Sequence, residues 1–420
     1  MKNLRIGIIL LICLITAIGI DAQDNLTPSN DILYVTAVSW NSDGNKIVAV
    51  GIQQEGQQGY LRVIDSQTGQ ILYQLDPRPG GFTSVAWSPN NRFIAAGGYD
   101  EAIWIIDVEA GSVVKVLYGH QSTVSDLDWN MDGTQLVSTG NWDGLTILWD
   151  MTTYQKVRVI EATSWFTLAT AFSPNDQHIA VGGENGIRVY SSMSNNSEKP
   201  FWSTSEIFYV GALAWNHKGN QIAIGSESFQ SIVNPKNKSY AQIYLLDSSN
   251  GKQLSSIATQ DDTIFGIAWS PDDTLISTYS KNGYVKVWEA NSGLLLQSFL
   301  GTTAYPEKLS FSPYGGRLAY GGSLPINSGS STTLVQTNIE GTQSLAGGAV
   351  QVIVPDPSLA RLQAITQNCG IQLSVQQSLT SQINTNKLQD FVTEVSALTD
   401  DQIPLGCKAD LLAVADALLK

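Results

Sequence analysis

Charged residues, cysteines and histidines are all scarce in this chain. Of its 420 residues, 14% are charged, three are cysteine and three are histidine. Runs of lysine and glutamate, which are typical of long exposed helices, are absent, whereas glycine occurs 37 times. The composition therefore favours an all-β chain of short strands joined by tight turns.

Positive charge is also lacking. Lysine and arginine together number 23 against 37 aspartates and glutamates, which gives a formal net charge of −14. A surface this negative repels nucleic-acid phosphates and anionic lipid headgroups, and no local basic patch offsets the repulsion. We therefore expect no nucleic-acid partner.

The N-terminal segment contains a long apolar run. Lys2 and Arg5 precede the run Ile6–Ile20, and the small Ala22 follows it. This pattern predicts a signal peptide over residues 1–22, with export to the extracellular space, periplasm or cell surface. We expect no membrane insertion after cleavage. The alternatives are an uncleaved anchor, for which the run is short, and a lipoprotein signal at Cys13, whose preceding residue is too bulky.

Cleavage at that point would leave two cysteines, Cys369 and Cys407. A pair in an exported chain is most simply a disulfide, which could stabilise the fold by about 4 kcal/mol. Two buried thiols are the alternative.

An aromatic residue followed by Ser or Asn and a turn recurs seven times. The aromatic anchors stand 42 to 54 residues apart, a period typical of a propeller and not of a sandwich. The seven anchors are Trp40, Trp87, Trp129, Phe172, Trp215, Trp269 and Phe311.

Each repeat has room for four strands. A second apolar run follows each anchor turn, and a third ends near an acidic residue, as in Tyr60 to Asp65. Turns such as Asp65 to Gly69 allow a fourth strand to fold straight back. The sequence thus predicts a seven-bladed β-propeller over residues 23–355. We expect residues from Gln343 to Val354 to supply the last strand of blade seven, with the stretch before Tyr34 as the alternative source.

The third repeat resembles the WD-repeat family most fully. It contains Gly119-His120, Thr139-Gly140, Trp142-Asp143-Gly144 and Trp149-Asp150. The resemblance covers about residues 30–350 and implies that four of these residues form one hydrogen-bonded structural chain. Those residues are His120, Asp143, Thr139 and Trp149.

The C-terminal residues 356–420 change to helical spacing. Leu388, Phe391, Val392 and Val395 follow a three-to-four-residue period. We expect a small α-helical module. It is too small to form a stable hydrophobic core by itself unless a disulfide or docking on the propeller supports it. It is interpreted as a capping or spacing module, with a second binding site or envelope attachment as the alternative.

The resemblance to the WD-repeat family implies that the loops between second and third strands and the connections between blades share one face of the propeller, and aromatic residues concentrate in these loops. Aromatic side chains bury much area at little entropic cost, so this face is the predicted partner-binding surface. The alternative is that these residues pack between blades. The candidates are Tyr34, Tyr99, Trp142, Trp165, Phe166, Phe208, Tyr209 and Tyr305.

The residues favour binding over catalysis. His120, His178 and His217 lie in different repeats, and no spacing resembles a zinc site, a nucleophile elbow or a phosphate-binding loop. We predict a monomeric, protein-binding scaffold that is not an enzyme and uses no cofactor or metal. The alternatives are glycan binding, a structural role in the envelope, and a propeller-based hydrolase or lyase.

Overall fold

The structure is a computed structural model. The predicted signal peptide lies outside the residues that it describes. Those residues are 32–53, 58–161, 166–193, 199–205, 207, 209–226, 240–300, 308–321, 323–325, 342–345, 350–355, 358–384 and 387–419.

The described strands form seven antiparallel sheets, which confirms the seven-bladed propeller. Blades one to three contain β1 (Ile32–Trp40), β2 (Lys46–Gln53), β3 (Gln58–Asp65), β4 (Ile71–Pro79), β5 (Phe82–Trp87), β6 (Phe93–Gly98), β7 (Ala102–Asp107), β8 (Ser112–Tyr118), β9 (Val124–Trp129), β10 (Gln135–Gly140), β11 (Leu145–Asp150) and β12 (Gln155–Glu161).

Blades four to six repeat the arrangement. They contain β13 (Thr167–Phe172), β14 (His178–Gly183), β15 (Gly186–Ser191), β16 (Trp202–Thr204), β17 (Val210–Trp215), β18 (Gln221–Ser226), β19 (Gln242–Asp247), β20 (Gln253–Ala258), β21 (Ile264–Trp269), β22 (Leu275–Ser280), β23 (Tyr284–Glu289) and β24 (Leu295–Leu300).

Burial falls from the inner strands to the outer ones. In β10, the second strand of blade three, five of six residues are buried, whereas in the outer strand β20 only one of six is buried. The hydrophobic clusters of the ring join neighbouring blades; one contains Val48 and Leu61 of blade one with Phe82 and Ile94 of blade two. Each blade therefore buries its sheet faces against its neighbours, as propeller stacking requires.

The tryptophan anchors also connect successive blades by hydrogen bonds. Each of four indole Nε1–H groups donates to the backbone carbonyl just before the anchor of the preceding blade. The pairs are Trp40–Ser310 (3.0 Å), Trp129–Ala86 (3.3 Å), Trp215–Ala171 (3.3 Å) and Trp269–Ala214 (3.2 Å). The first pair joins blades one and seven and so helps to close the ring.

Blade seven departs from the order of the others. It contains β25 (Leu309–Phe311), β26 (Leu318–Gly321), β28 (Thr342–Leu345) and β29 (Val350–Ile353), and its strands lie in the order β25, β26, β29, β28. The prediction that the C-terminal stretch supplies the fourth strand is confirmed. The same stretch also supplies the third strand, which the sequence analysis did not predict. In addition, β27 (Ser323–Pro325) pairs with the first residues of β1.

The turns between first and second strands alternate in sequence around the ring. In blades two, four and six the residue with positive φ is an asparagine or aspartate, and elsewhere it is glycine. The Asx side chain accepts a hydrogen bond from a backbone N–H in the turn of the preceding blade. These donor and acceptor pairs are Ser42–Asn91 (2.7 Å), Met131–Asp176 (2.9 Å) and His217–Asp273 (2.7 Å).

The glycine turns contact prolines from the blade before. A Cβ on Gly133 would lie 3.5 Å from Pro89 Cδ, and one on Gly219 would lie 3.6 Å from Pro174 Cδ. Blade seven carries Pro313 as well as Gly315, so its turn has features of both types. The turns thus form a second ring of contacts between blades.

The predicted helical module consists of four helices. They are α1 (Leu359–Asn368), α2 (Leu373–Asn384), α3 (Leu388–Ala397) and α4 (Leu405–Leu419). Their apolar residues form a separate core around Leu379, Phe391 and Leu411. Cys369 at the end of α1 and Cys407 in α4 lie in bonding contact, with their Cα atoms 5.8 Å apart. This separation suits a disulfide.

The module docks on blade seven through Asp410 of α4. Its carboxylate is fully buried and accepts hydrogen bonds from Ser312 Oγ (2.5 Å), Gly316 N (3.0 Å) and Arg317 Nε (2.5 Å). The same guanidinium donates to the carbonyl of Gly44 in blade one (3.0 Å). The pair Asp410–Arg317 therefore connects the module to both sides of the ring closure.

A second ion pair connects α1 to blade six. Arg361 donates to the Asp272 carboxylate and to the carbonyl of Gly315 (3.0 Å from Nε). Burial alone would raise the pKa of Asp272, but the Arg361 charge and hydrogen bonds from Ser270 and Thr274 lower it to about 2. The module thus spans blades six, seven and one.

None of the helices in the described ranges is both long enough and apolar enough to cross a membrane.

Replacing Asp410 tests whether the module supports the ring. We expect Asp410→Ala to lower the free energy of unfolding by about 3–5 kcal/mol, because it leaves the buried Arg317 guanidinium without its carboxylate. Denaturant unfolding followed by tryptophan fluorescence measures the change. Asp416→Ala, an exposed aspartate on the same helix, is the control and should change stability by less than about 0.5 kcal/mol. Equal effects of the two substitutions would contradict this role.

Candidate protein-binding face

Two sets of loops form one face of the propeller. They are the turns between second and third strands and the connections from each blade to the next, and we call this surface the top face. The opposite surface, with the remaining turns, is the bottom face. The helical module contacts the bottom face at Gly44, Asp272 and Gly315.

Three predicted aromatic residues meet on the top face. The Trp142 and Phe166 rings lie edge to face with their centroids 4.7 Å apart, and the Phe166 and Tyr209 centroids are 5.5 Å apart. Trp142 belongs to blade three, whereas Phe166 and Tyr209 lie in the connections before blades four and five. We call these three residues the aromatic row.

Members of the aromatic row differ in exposure. Phe166 is only 5% exposed, so it packs between blades and does not offer the contact surface that was predicted for it. Trp142 and Tyr209 are half-buried, which leaves part of each ring accessible. The buried Phe166 ring thus packs against both of the partly accessible rings.

Backbone contacts with the turn of blade four position the row. Glu184 N–H donates to the Phe166 carbonyl (3.1 Å), and Tyr209 N–H donates to the Glu184 carbonyl (3.2 Å). Gly183 permits this approach, because a Cβ there would lie 2.2 Å from the Phe166 carbonyl oxygen. Tyr209 has a φ of 62°, a left-handed conformation that is rare for a bulky residue and is often found at functional sites.

The remaining predicted aromatic residues differ in position and exposure. Tyr99 is 53% exposed on the turn of blade two. Tyr34 is half-buried in β1, and burial raises the pKa of its hydroxyl. Trp165, Phe208 and Tyr305 lie outside the described residues. The structure therefore brings together three of the eight candidates and places Tyr99 on another blade.

The hydrogen-bonded chain of blade three is present with one correction. His120 Nδ1 lies 3.0 Å from Asp143 Oδ2, and His120 Nε2 lies 2.8 Å from the hydroxyl of Ser138. Trp149 Nε1 donates to the same hydroxyl (2.9 Å). The prediction of Thr139 was therefore wrong, because adjacent residues of a strand face opposite sides and Thr139 lies beside Ser125 instead.

The hydrogen-bonded side chains of blade three have a structural role. Burial alone would raise the pKa of Asp143, but hydrogen bonds from His120 and from the Gln121 and Leu145 amides lower it. Both ring nitrogens of His120 are engaged, and Ser138 is fully buried. A hydroxyl in this position cannot approach a substrate.

The structure also shows a charged group that the sequence analysis missed. Lys308 of blade seven reaches Asp126 Oδ1 (2.5 Å) and the Leu127 carbonyl (3.0 Å) in blade three. Since these blades are not neighbours in the ring, the contact must cross the central channel. Asp128, two residues further along β9, accepts a hydrogen bond from Phe172 N–H (2.9 Å).

A sequence signal for this group existed. Asp126 and Lys308 each stand three residues before an anchor, and Asp128 stands one residue before. In the other five blades both positions hold only alanine, serine or glycine. Comparing equivalent positions across repeats would therefore have identified the charged group.

The described residues contain no cluster of three or more His, Cys, Asp or Glu side chains that suits a metal ion.

Comparison with known families agrees with the geometry. A family model described as "WD domain, G-beta repeat" matches residues 69–107, 111–150 and 251–289. The chain therefore contains WD repeats. Each match begins next to the outer strand of one blade and ends at the third strand of the next.

Relatives of this WD-repeat protein are distant. Protein HIR1 of Cryptococcus neoformans is 23% identical over 217 residues, which are 45% of this chain and 24% of that protein. WD repeat-containing protein slp1 of Schizosaccharomyces pombe is 25% identical over 281 residues, 64% of this chain and 52% of the relative. THO complex subunit 3 of Arabidopsis thaliana is 24% identical over 220 residues, which are 51% of this chain and 65% of that protein. The chain spans less than two thirds of each relative.

A solved structure shares the fold. A chain in the "Crystal Structure of Mitotic Checkpoint Complex" matches with a TM-score of 0.59 and 18% identity, over 73% of this chain and 96% of that one. At this identity the likeness shows the propeller fold alone.

The carboxyl of Asp128 in this WD-repeat protein should make stability depend on pH. Burial raises its pKa to about 6 although Lys308 lowers it, so the folded protein holds this proton more tightly than the unfolded chain does. The group therefore costs stability above about pH 6, and this cost disappears as the pH falls to about 4.

We expect Asp128→Asn to raise the free energy of unfolding by about 1–3 kcal/mol at about pH 8 and to have little effect at about pH 4. Denaturant titrations over this range measure the difference. Asp390→Asn, which changes an exposed residue of α3, is the control. A stability gain that is the same at both pH values would contradict the assignment.

Proposed function

We propose that this protein is a binding scaffold that engages a protein partner through the top face of its propeller. The observation that carries the proposal is the aromatic row, in which a buried ring supports two accessible rings across three blades. Rigidly supported, partly exposed aromatic side chains are the residues that concentrate binding energy at protein interfaces.

The comparisons support a binding role. Of the relatives, one is named as a subunit of a complex, and the similar solved chain belongs to a complex. None of the three relatives is named as an enzyme. The buried hydroxyl of Ser138 and the engaged ring of His120 also favour a role without catalysis. Glycan binding through this face stays a prediction.

Substitution of the two accessible rings tests the proposal. We expect the double variant Trp142→Ala and Tyr209→Ala to bind its partner more than about tenfold more weakly, because truncating a hot-spot residue costs about 2 kcal/mol or more of binding free energy. The measurement is quantitative mass spectrometry of proteins retained from native extracts by each immobilised variant.

The control is Phe201→Ala, which removes a ring that is 59% exposed outside the top face. This variant should retain the same proteins as the unchanged chain. Circular dichroism and thermal unfolding show whether the double variant is folded. If a folded double variant retains the same proteins in the same amounts, the top face is not the binding surface.

We also propose that the chain is exported and that Cys369 and Cys407 are oxidised. The apolar segment before Ala22 and the 5.8 Å separation of the two Cα atoms support this. Alkylation of the native protein without reductant should label neither cysteine, and its N-terminal peptide should begin near residue 23. Labelling of both cysteines, or recovery of the first 22 residues, would contradict the proposal.

A further inference from the structure

The aromatic row lies next to an acidic residue, Glu184, in the turn of blade four. The buried Phe166 ring contacts the half-buried rings of both Trp142 and Tyr209. Glu184 is held by backbone hydrogen bonds to the connections that carry Phe166 and Tyr209. We call these four residues the aromatic cradle.

The Glu184 side chain differs from other carboxylates of the propeller and the helical module in its partners. Asp126, Asp143 and Asp410 each have an ion-pair or hydrogen-bond partner. The half-buried Glu184 side chain forms no ion pair or hydrogen bond within the described part of the chain, although its backbone is fixed on both sides. Its negative charge is therefore available to a ligand.

The charge of the surrounding surface has the same sign. Glu101 and Asp262 are exposed on neighbouring top-face loops. The lysines and arginines in the described loops of this face are Lys281 and Lys308, and Lys308 is paired with Asp126. A positively charged group is attracted to aromatic faces by the ring quadrupole and to a carboxylate by charge. An apolar ligand would instead cover Glu184 without compensating its charge, which is unfavourable.

We propose that the aromatic cradle binds a lysine or arginine side chain of the partner, so that the recognised segment is a basic peptide. This inference rests on the proposed function and specifies the partner of the same face. The alkyl part of the side chain packs against Trp142 and Tyr209, and its cationic end lies beside Glu184. Binding should therefore weaken as ionic strength rises.

The test uses a library of random peptides displayed on phage and selected on the full-length protein. Enriched peptides are synthesised, and their affinities are measured for the unchanged chain and for Glu184→Gln. We expect enriched peptides to carry lysine or arginine and to bind Glu184→Gln about tenfold more weakly. The matched control is Glu109→Gln, an exposed glutamate on the bottom face, which should bind as the unchanged chain does.

The double variant Trp142→Ala and Tyr209→Ala separates two ways of failing. If peptides depend on both rings but contain no excess of basic residues, or bind Glu184→Gln normally, the cradle proposal is wrong while the top face stands. If peptides bind the folded double variant as well as the unchanged chain, or none is enriched, both proposals fail. Because glutamine keeps the shape of glutamate, we expect Glu184→Gln to leave the fold unchanged.

Discussion

The propeller depends on the fact that no single blade can bury both faces of its own sheet. Every hydrophobic cluster of the ring therefore lies between blades, and the anchor indoles add hydrogen bonds across the same boundary. Trp40 makes this bond to Ser310 across the closing boundary. Stability is thus a property of the complete ring, and any gap would expose two unpaired apolar faces.

An odd number of blades creates a difficulty for the alternating turns. Glycine turns alternate with Asx turns from blade one to blade six, and seven units cannot alternate perfectly around a circle. The turn of blade seven combines both residue types. Its Gly315 faces Pro271 of blade six, and its Pro313 faces Gly44 of blade one. The helical module then covers this irregular turn through Arg361 and Asp410.

Much of this architecture could be predicted from the sequence because repeats report equivalent positions. The anchors and their turns fixed the number of blades, and the change of period after residue 355 indicated the helices. Ser138 was missed because a motif names a residue type, whereas the strand pleat decides which hydroxyl faces His120. The cross-channel contact joins Lys308 to Asp126, which lies 182 positions earlier in the chain, and only a comparison of equivalent positions across the repeats indicates it. Glu184 likewise could not be selected from the sequence, because its backbone contacts with Phe166 and Tyr209 are visible only in the structure.

The exchanged strand order in blade seven decides where the chain goes next. In the usual order the outer strand comes last and runs towards the surface that carries the aromatic row. Here β29 comes last, beside β26 and antiparallel to it, so the polypeptide leaves on the opposite side. The 65 residues that follow Pro355 are thereby delivered beneath the ring, and the surface proposed for recognition is left unobstructed by the protein's own tail.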